Sequence, residues 1–310
     1  MRVLFWGSPE FAVAPLEAIV ESTHQVVGVV CQPDRPRGRG RKPTPVEVKR
    51  FAESRDLKII QPDAPRGEQF LSVITSLDPQ ISVVVAYGHI LRPEVLEIPR
   101  LGSINLHASL LPAYRGAAPI QRAVAAGETT TGLTVIQMDE GMDTGPVLLR
   151  RGMEIGRGES SGELAGRMSQ LGARLLVELL DRMETGGVEP VPQPQEGVSY
   201  APKVERGEAR IDWALPAWKI SCIIRAFDPS PGAFCICRGK AIKLFRSRPG
   251  AECEHGRPGE VTGTTKQEIA VCCGDMHEIL VGELQAEGKR RMTAAEYIRG
   301  AALQPGEILD

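Results

Sequence analysis

The chain has 310 residues, a length that corresponds to about two domains of ordinary size. Hydrophobic residues make up 42% of it and charged residues 25%, which is typical of a folded globular protein and excludes a disordered chain. Because the formal net charge is only −2, a protein that coats polyanions with its whole surface is also excluded. Any affinity for nucleic acid must therefore come from local basic patches.

The sequence predicts no membrane segment. No apolar run approaches the ~18 residues of a membrane span, and Pro9 and Glu10 interrupt the apolar N-terminal stretch, so a signal peptide is not expected. The seven cysteines are an odd number and unevenly spaced, which argues against a disulfide framework. We therefore expect a cytoplasmic protein that does not associate with a membrane.

Strands and helices alternate through the first part of the chain. We expect strands at 2–7, 26–31, 81–86, 102–109 and 131–138. We expect helices at 46–55, 69–77 and 161–184, and another that Ser8 caps with Pro9 in its first position. This alternation is typical of a doubly wound, mostly parallel (Rossmann-like) α/β sheet with helices on both faces.

The pattern changes after residue 186. The segment from Gly186 to Lys203 alternates prolines with polar residues and has the composition of a semi-extended linker. A helix at 216–227 and five short strands at 234–238, 241–245, 259–262, 268–272 and 278–284 follow, which favours a smaller OB-like β-barrel. We therefore expect a first domain at 1–186, a linker at 187–206 and a second domain at 207–310.

Polar residues gather where chemistry is expected in a parallel sheet, at the carboxyl ends of strands. Asn105, His107 and Ser109 alternate on one strand face, where a buried parallel strand would be apolar. The turn-rich segment Met138–Pro146 leaves the next strand and carries Asp143. A His oriented by an Asp beside an amide suits proton transfer and oxyanion stabilisation. A structural His and an ordinary Asp-containing turn remain the alternative, so the residues alone leave both interpretations open.

Recognisable motifs extend along nearly the whole chain. The segment 107–122, HASLLPAYRGAAPIQR, resembles the hallmark loop of the folate-dependent formyltransferases. The Asn-x-His that precedes this loop and the Met-Asp-x-Gly-x-Asp-Thr-Gly of 138–145 complete the family pattern. The resemblance begins at 5–11, continues through 32–40 and reaches 208–213, beyond the linker.

The resemblance implies a reaction and a set of site residues. The reaction is transfer of a formyl group from 10-formyltetrahydrofolate, as co-substrate, to the α-amine of methionine carried by initiator tRNA, without a metal. The matching catalytic residues are Asn105, His107 and Asp143; the folate-binding residues are Ser109, Leu110, Leu111 and Pro112, with Ala86, Tyr87 and Gly88 at a strand end. Initiator methionyl-tRNA and folate are the implied partners, and we expect a monomer.

A basic segment stands out in this nearly neutral protein. Residues 34–50 carry a net charge of +5, which a solvated flexible loop or an RNA-binding loop would both explain. In the resembling family this loop enters the acceptor arm of the tRNA, and Arg39 matches an arginine important there. The residues proposed to contact tRNA are Arg37, Arg39, Arg41, Lys42 and Lys203. A second basic stretch, Arg238, Lys240, Lys243, Arg246 and Arg248, could follow an RNA backbone.

Other functions are weighed against this one. The cysteines and histidines of 235–277 could imitate a zinc site, but their spacing matches no standard pattern, and we expect Cys235 and Cys237 to pack as small hydrophobes on one strand face. A nicotinamide-dependent oxidoreductase would need Gly-x-Gly-x-x-Gly after the first strand, where this chain has Gly-Ser-Pro-Glu-Phe. A non-catalytic RNA-binding protein, or a formyltransferase acting on an amino sugar or on glycinamide ribonucleotide, remains the alternative.

Overall fold

The computed structural model describes residues 1–37, 42–265, 267–301 and 303–310, without the side chains of residues 37, 42 and 301. Its strands are β1 (Arg2–Gly7), β2 (Gln25–Val30), β3 (Arg35–Arg37), β4 (Lys42–Thr44), β5 (Ile59–Ile60), β6 (Ile81–Val85), β7 (Ser103–His107), β8 (Thr130–Gln137), β9 (Val147–Glu154), β10 (Phe234–Cys237), β11 (Lys240–Glu252), β12 (Val261–Thr264), β13 (Ile269–Cys272), β14 (His277–Ala286) and β15 (Met292–Thr293). Its helices are α1 (Val13–Glu21), α2 (Glu47–Ser54), α3 (Glu68–Thr75), α4 (Pro93–Leu96), α5 (Pro119–Ala126), α6 (Ser161–Glu184), α7 (Ala217–Ala226) and α8 (Ala294–Ala301).

The chain divides into two compact units. The first comprises Met1–Pro119, Thr131–Met153 and Ala165–Pro202, and the second comprises Ile120–Thr130, Glu154–Leu164 and Lys203–Asp310. The sheet of the first unit has the strand order β5-β2-β1-β6-β7-β8-β9. The pairs among the first five of these strands are parallel, and β8 runs antiparallel to β7. The order reverses between β1 and β6, which is where a doubly wound sheet binds its ligands.

The parallel strands form because their side chains are apolar and can be covered on both faces. All five residues of β6, Ile81–Val85, are buried, and β-branched residues suit such a strand. Trp6 on β1 is fully buried and donates its indole N–H to the Ser82 hydroxyl on β6 at 3.0 Å. The buried indole nitrogen therefore has a hydrogen-bond partner within the core. The result is a rigid sheet whose carboxyl edge carries the polar side chains of β7.

Several short elements were not predicted, among them β5, α4, α5 and α8, and three further differences concern segments that the sequence analysis singled out. Ser8 does not cap a helix: its hydroxyl accepts the backbone N–H of Gln32 at 3.1 Å, and a 3₁₀ turn, Glu10–Ala12, precedes α1. Strand β9 was not predicted, because most of its side chains are partly or fully exposed and give no clear hydrophobic pattern. The basic segment also contains a two-stranded antiparallel ribbon, β3 paired with β4, where no strand was predicted.

The second unit contains a six-stranded antiparallel sheet. Its order is β10-β11-β14-β13-β12, with β15 paired to β14. Cys235 and Cys237 are both buried on β10, as their spacing predicts, and every cysteine is a free thiol. Within the described ranges, no group of three or more His, Cys, Asp or Glu side chains could hold a metal ion. The predicted fold class, a mostly parallel doubly wound sheet followed by a smaller β domain, is confirmed.

Candidate active site

Three polar side chains meet at the carboxyl end of β7. Asn105 and His107 project from the same face of this strand, and Asp143 lies on the loop between β8 and β9. The Asn105 amide donates to Asp143 Oδ1 at 3.2 Å, and His107 Nδ1 lies 3.5 Å from Asp143 Oδ2. The structure therefore brings together the Asn, His and Asp that the sequence singled out.

Both nitrogens of the His107 ring face oxygen acceptors. The Tyr114 carbonyl lies 2.9 Å from Nε2, and the Asp143 carboxylate lies on the Nδ1 side. A neutral imidazole can donate to one of these oxygens, and a protonated imidazole can donate to both. Because the ring is only 5% exposed, these contacts fix its orientation. The 3.5 Å separation on the Nδ1 side is the loosest contact of the cluster, and catalytic contacts are often long before substrate binds.

Asp143 is held by backbone geometry as well as by side chains. It adopts a left-handed backbone conformation with φ 55°, which is uncommon for a residue other than glycine. Its Oδ2 atom accepts the backbone N–H of Gly116 at 2.9 Å. Gly116 has φ 120°, and a Cβ atom there would lie 2.8 Å from the Ala201 carbonyl oxygen, so this close approach requires glycine.

The loop that follows His107 is anchored by hydrogen bonds at both ends. Ser109 donates its hydroxyl to the Ala113 carbonyl at 2.5 Å. Thr134, a fully buried residue on β8, donates to the Ser109 carbonyl at 2.7 Å and accepts the Leu111 N–H at 3.1 Å. The Leu111–Pro112 peptide bond is cis. Sequence reasoning missed Thr134, because nothing in the spacing of 109 and 134 indicates that the two residues meet.

The strand end at 86–88 offers its backbone more than its aromatic side chain. Ala86 and Gly88 are exposed and have left-handed φ values of 48° and 84°. The Tyr87 ring is buried and packs edge-on against the Trp6 ring, with 5.3 Å between the ring centroids. The Tyr87 backbone carbonyl accepts a hydrogen bond from the Gln32 side-chain amide at 2.8 Å. Burial raises the pKa of the Tyr87 hydroxyl, which has no hydrogen-bond partner among the described residues. Tyr87 thus packs in the core, and its neighbours present the accessible backbone.

A glutamine of the linker forms hydrogen bonds to the loop that carries Asp143 and to the loop that follows His107. Gln193 donates its amide to the carbonyl oxygens of Asp143 at 2.7 Å and Gly145 at 2.8 Å. Its Oε1 accepts two N–H groups of Arg115, at 2.7 and 3.2 Å, and Arg115 is buried in the loop that follows His107. The segment 187–202 is therefore extended but hydrogen-bonded to the site, also through bridges of Val191 with Val147 and of Tyr200 with Arg115. No sequence pattern indicated this role for Gln193.

The basic segment, residues 34–50, is held near its start by an ion pair. Lys49 Nζ lies 2.7 Å from Asp34 Oδ2, and the Gln61 amide donates to Asp34 Oδ1 at 2.9 Å. The hydrogen bonds from Gln61 and Lys49 lower the pKa of the Asp34 carboxyl. Arg39 and Arg41 lie outside the described residues, and the side chains of Arg37 and Lys42 are not described either. The backbone places residues 37 and 42 opposite each other at the end of the β3–β4 ribbon.

The remaining basic residues that the sequence analysis singled out lie in the second unit. Lys203 is exposed, and its carbonyl accepts the Arg122 guanidinium at 3.3 Å. Arg122 also pairs with Glu208, and the hydrogen bond from Arg122 lowers the pKa of that carboxyl. In the basic stretch, arginines 238, 246 and 248 form ion pairs with glutamates 307, 283 and 268, respectively. Most of the positive charge of this stretch is therefore balanced within the protein, which the sequence did not indicate.

Comparisons with known proteins identify the family. The formyl transferase family model matches residues 1–180, and the model of the formyl transferase C-terminal domain matches residues 203–302. The methionyl-tRNA formyltransferase of Parvibaculum lavamentivorans is 46% identical over 311 aligned residues, which cover 99% of each chain. This chain belongs to the methionyl-tRNA formyltransferase family. The enzyme of Aromatoleum aromaticum with the same name is 44% identical over 99% of this chain and 96% of its own.

A solved structure supports the fold. HypX from Aquifex aeolicus in complex with tetrahydrofolic acid superposes with a TM-score of 0.65 at 19% identity; the match covers 100% of this chain and 50% of HypX. The chain therefore spans about half the length of that protein, and at this identity the likeness concerns the fold alone. The family membership confirms that the chain is a formyltransferase, with formyltetrahydrofolate as donor. The oxidoreductase and the non-catalytic RNA-binding alternatives are wrong. No described helix is both long and apolar enough to cross a membrane.

Proposed function

We propose that this enzyme transfers the formyl group of 10-formyltetrahydrofolate to the α-amine of methionine esterified to initiator tRNA. The observation that carries the proposal is the contact of Asn105, His107 and Asp143 at the carboxyl edge of the sheet. Full-length relatives named methionyl-tRNA formyltransferase, at 41–46% identity, support the choice of substrate. We further propose that the enzyme works in the cytoplasm, because its cysteines are free thiols, and that it is a monomer.

In the proposed reaction, the neutral α-amine attacks the formyl carbon and a C–N bond forms. The carbonyl oxygen then gains negative charge in a tetrahedral intermediate. One N–H of the Asn105 amide is held by Asp143, and its second N–H can donate to this oxygen. The bond between the formyl carbon and N10 breaks as N10 receives a proton, which leaves tetrahydrofolate and the formylated amine. Asn105 thus acts as the fixed oxyanion donor.

His107 and Asp143 handle the proton in this proposal. The attacking nitrogen must lose a proton while N10 must gain one, so a group that accepts and returns a proton accelerates the reaction by about 100- to 10,000-fold. The gap between His107 Nδ1 and Asp143 Oδ2, 3.5 Å, is where the amine proton would enter the cluster. Asp143 orients the ring on this side, and the Tyr114 carbonyl holds it on the other.

We propose that the folate ring system binds beside the same cluster. The loop Ser109–Pro112 follows His107 directly, and its hydrogen bonds to Thr134 and Ala113 give it a fixed shape. The exposed backbone at Ala86 and Gly88 supplies donors and acceptors at the neighbouring strand end. When the folate donor binds beside Asn105, His107 and Asp143, its formyl carbon lies next to these catalytic groups, as formyl transfer requires.

We propose that the tRNA is bound by basic residues from both parts of the chain. In this proposal the basic segment 34–50, which includes Arg37, Arg39, Arg41 and Lys42, enters the acceptor arm of the tRNA, and Lys203 contacts the tRNA backbone. The described part of this segment, the ribbon formed by β3 and β4, follows Asp34, which is fixed by Lys49 and Gln61. We likewise propose a catalytic domain at 1–186, a linker at 187–206 and a tRNA-binding OB-like domain at 207–310.

Formylation assays with 10-formyltetrahydrofolate test the substrate. Initiator methionyl-tRNA, elongator methionyl-tRNA, free methionine and a nucleotide-linked amino sugar are compared at equal concentration. We expect the highest kcat/KM for initiator methionyl-tRNA and no measurable turnover of free methionine or of the amino sugar. Preferential formylation of the amino sugar would contradict the proposed function.

A further inference from the structure

A large cavity in the second unit is separate from every residue assigned to the reaction. Its volume is about 1150 Å³, above the ~300–1000 Å³ of ordinary ligand pockets, and it is lined by α7, by β11 and by residues 157–163 among others. All of its lining residues belong to this unit. Five arginines face three carboxylates in the lining, which are Arg157, Arg225, Arg246, Arg248, Arg291 and Glu163, Asp228, Glu283.

The arginines of the cavity fall into two groups. Arg291 binds both carboxylate oxygens of Asp228, at 2.7 and 3.0 Å, and shares Glu283 with Arg246. Arg225 is half-buried, and its acceptors among the described residues are neutral: the Glu159 carbonyl at 3.1 Å and the Cys222 sulfur at 3.2 Å.

Two positive charges of the cavity therefore remain unbalanced. In the part of the chain that the structure describes, no carboxylate pairs with Arg225 or with the exposed Arg157. A partly desolvated guanidinium without a counter-charge favours an anion in the cavity.

An exposed aromatic ring lines the same cavity. Trp218 is 53% exposed, whereas the other two tryptophans, Trp6 and Trp213, are buried. Trp218 and Arg225 are seven residues apart on α7 and so lie on one face of the helix. Side chains of a helix lean toward its N-terminus, which brings the Arg225 side chain toward the ring. A Cβ on Gly127 would lie 3.5 Å from the ring, and Lys219 Nζ lies 5.7 Å from the ring centroid. One edge of the ring is therefore packed and one face carries the Lys219 ammonium, so a base would stack on the other face.

We propose that this cavity binds a nucleotide, with the base stacked on Trp218 and the phosphate bound by Arg225 and Arg157. A guanidinium group can bind two oxygens of one phosphate with two parallel hydrogen bonds, and any nucleic-acid base can stack on an exposed tryptophan ring. The nucleotide can belong to the RNA substrate or can be a free mononucleotide, because the two share this chemistry. The site goes beyond the formyl transfer proposed above, and its test does not depend on that reaction.

Calorimetric titration of the full-length chain with AMP and with adenosine tests the site. AMP should bind and should protect Trp218, the accessible tryptophan, from quenching by acrylamide. Adenosine should bind about tenfold more weakly or worse, because it lacks the phosphate. Absence of heat and of protection with millimolar AMP would overturn the proposal, as would equal affinity for adenosine.

Matched variants locate the binding. Arg157→Gln together with Arg225→Gln should weaken AMP binding by about tenfold or more. Arg299→Gln removes one positive charge from an exposed position on α8 outside the cavity, as Arg157→Gln alone does within it, and should leave AMP binding unchanged. An equal loss in the Arg299 variant would mean nonspecific attraction and would overturn the site. Should the double variant fail to fold, Arg157→Gln alone alters only an exposed side chain and gives the same comparison.

A separate experiment decides whether the nucleotide belongs to the RNA substrate or is a free mononucleotide. If the RNA substrate occupies the site, AMP should compete with methionyl-tRNA and the double variant should show a raised KM for the tRNA. If a free nucleotide occupies it, the variant should lose AMP binding while its KM for methionyl-tRNA stays that of the parent. Both results require the AMP binding described above.

Discussion

Asp143 is the residue on which the hydrogen bonds of the site converge. Its Oδ1 accepts Asn105, its Oδ2 accepts the Gly116 N–H, and its backbone carbonyl accepts Gln193. A left-handed conformation of a non-glycine residue costs about 1–3 kcal/mol, and it persists where surrounding contacts over-determine it. The proposed chemistry depends on this fixed carboxylate, because it sets the orientation of both Asn105 and His107.

Replacement of Gln193 tests whether the linker positions the site. Gln193→Ala removes two hydrogen bonds to the Asp143 loop and the acceptor of Arg115, so we expect kcat to fall by about 10- to 100-fold with tetrahydrofolate affinity little changed. Gln193→Glu keeps the acceptor for Arg115 but loses both donors to carbonyls, so it should also be impaired. Steady-state kinetics and folate titration measure the two effects.

The matched control lies two residues away. Gln195 is exposed in the same proline-rich segment, so Gln195→Ala should leave both kcat and folate affinity unchanged. Parent-like kcat in both Gln193 variants would show that the linker does not position Asp143.

The residues of the site were predictable to different degrees. Asn105, His107 and Asp143 lie in local motifs that match the family pattern, so the resemblance was enough to expect them in one cluster. The strand ends alone were not enough, because β8 runs antiparallel to β7 and the Asp143 loop turns back toward Asn105. Gln193 lies 50 residues from Asp143 and 78 from Arg115 in a segment with the composition of a linker, so no local pattern could reveal its contacts. For Tyr87, the position at a strand end suggested a folate-binding role, whereas the structure shows that its ring is buried in the core.

At the scale of elements, β8 supports the loop that follows β7. Thr134→Val keeps the shape of the side chain but removes the hydroxyl that serves Ser109 and Leu111. Because two buried backbone groups then lose their partner, we expect the free energy of unfolding to fall by about 1–3 kcal/mol and the KM for the folate donor to rise. Urea denaturation and donor titration measure these changes.

Thr131→Val provides the control on the same strand. Thr131 is buried, and in the described part of the chain its hydroxyl has no hydrogen-bond partner. This variant should be as stable as the parent, with an unchanged KM for the donor. If both valine variants were equally stable, the bonds from Thr134 would not anchor the loop.

The basic segment 34–50 has the clearest expected role in tRNA selection. A guanidinium that inserts against bases cannot be replaced by an amine, whereas one that only attracts phosphates can. We therefore expect Arg39→Lys to lower kcat/KM for initiator methionyl-tRNA strongly and to narrow the gap between initiator and elongator substrates. Arg41→Lys, which makes the same change in the same segment, should have a small effect. Small and equal losses of kcat/KM in both variants would mean that the basic segment acts by charge alone.

The elements themselves could be predicted where burial dictates the pattern. The strands β1, β2 and β6 are apolar on both faces, and α6 keeps a helical period over its full length, so all were expected within a few residues. Strand β9 and the β3–β4 ribbon were not expected, since edge strands and charged ribbons carry no hydrophobic alternation. Their pairing depends on the neighbouring chain segment.

The molecule as a whole is slightly acidic, yet its proposed substrate is a polyanion. Binding must then come from a few local cations, each of which releases about one counterion from the RNA. We expect Lys203→Gln to raise the KM for methionyl-tRNA and to reduce the slope of log KM against log salt by about one or less. An unchanged slope in this variant would show that Lys203 does not contact phosphate.

Formyl transfer in a single turnover tests the central claim most directly. Excess enzyme saturated with 10-formyltetrahydrofolate is mixed with initiator methionyl-tRNA, and the rate of formylmethionyl-tRNA formation is compared for the parent, Asn105→Ala, His107→Ala and Asp143→Ala. The proposed mechanism predicts that each variant is slower by on the order of 100-fold or more, while its tetrahydrofolate affinity changes far less. A parent-like rate in the His107 or Asp143 variant would contradict the assignment of Asn105, His107 and Asp143 as the catalytic groups.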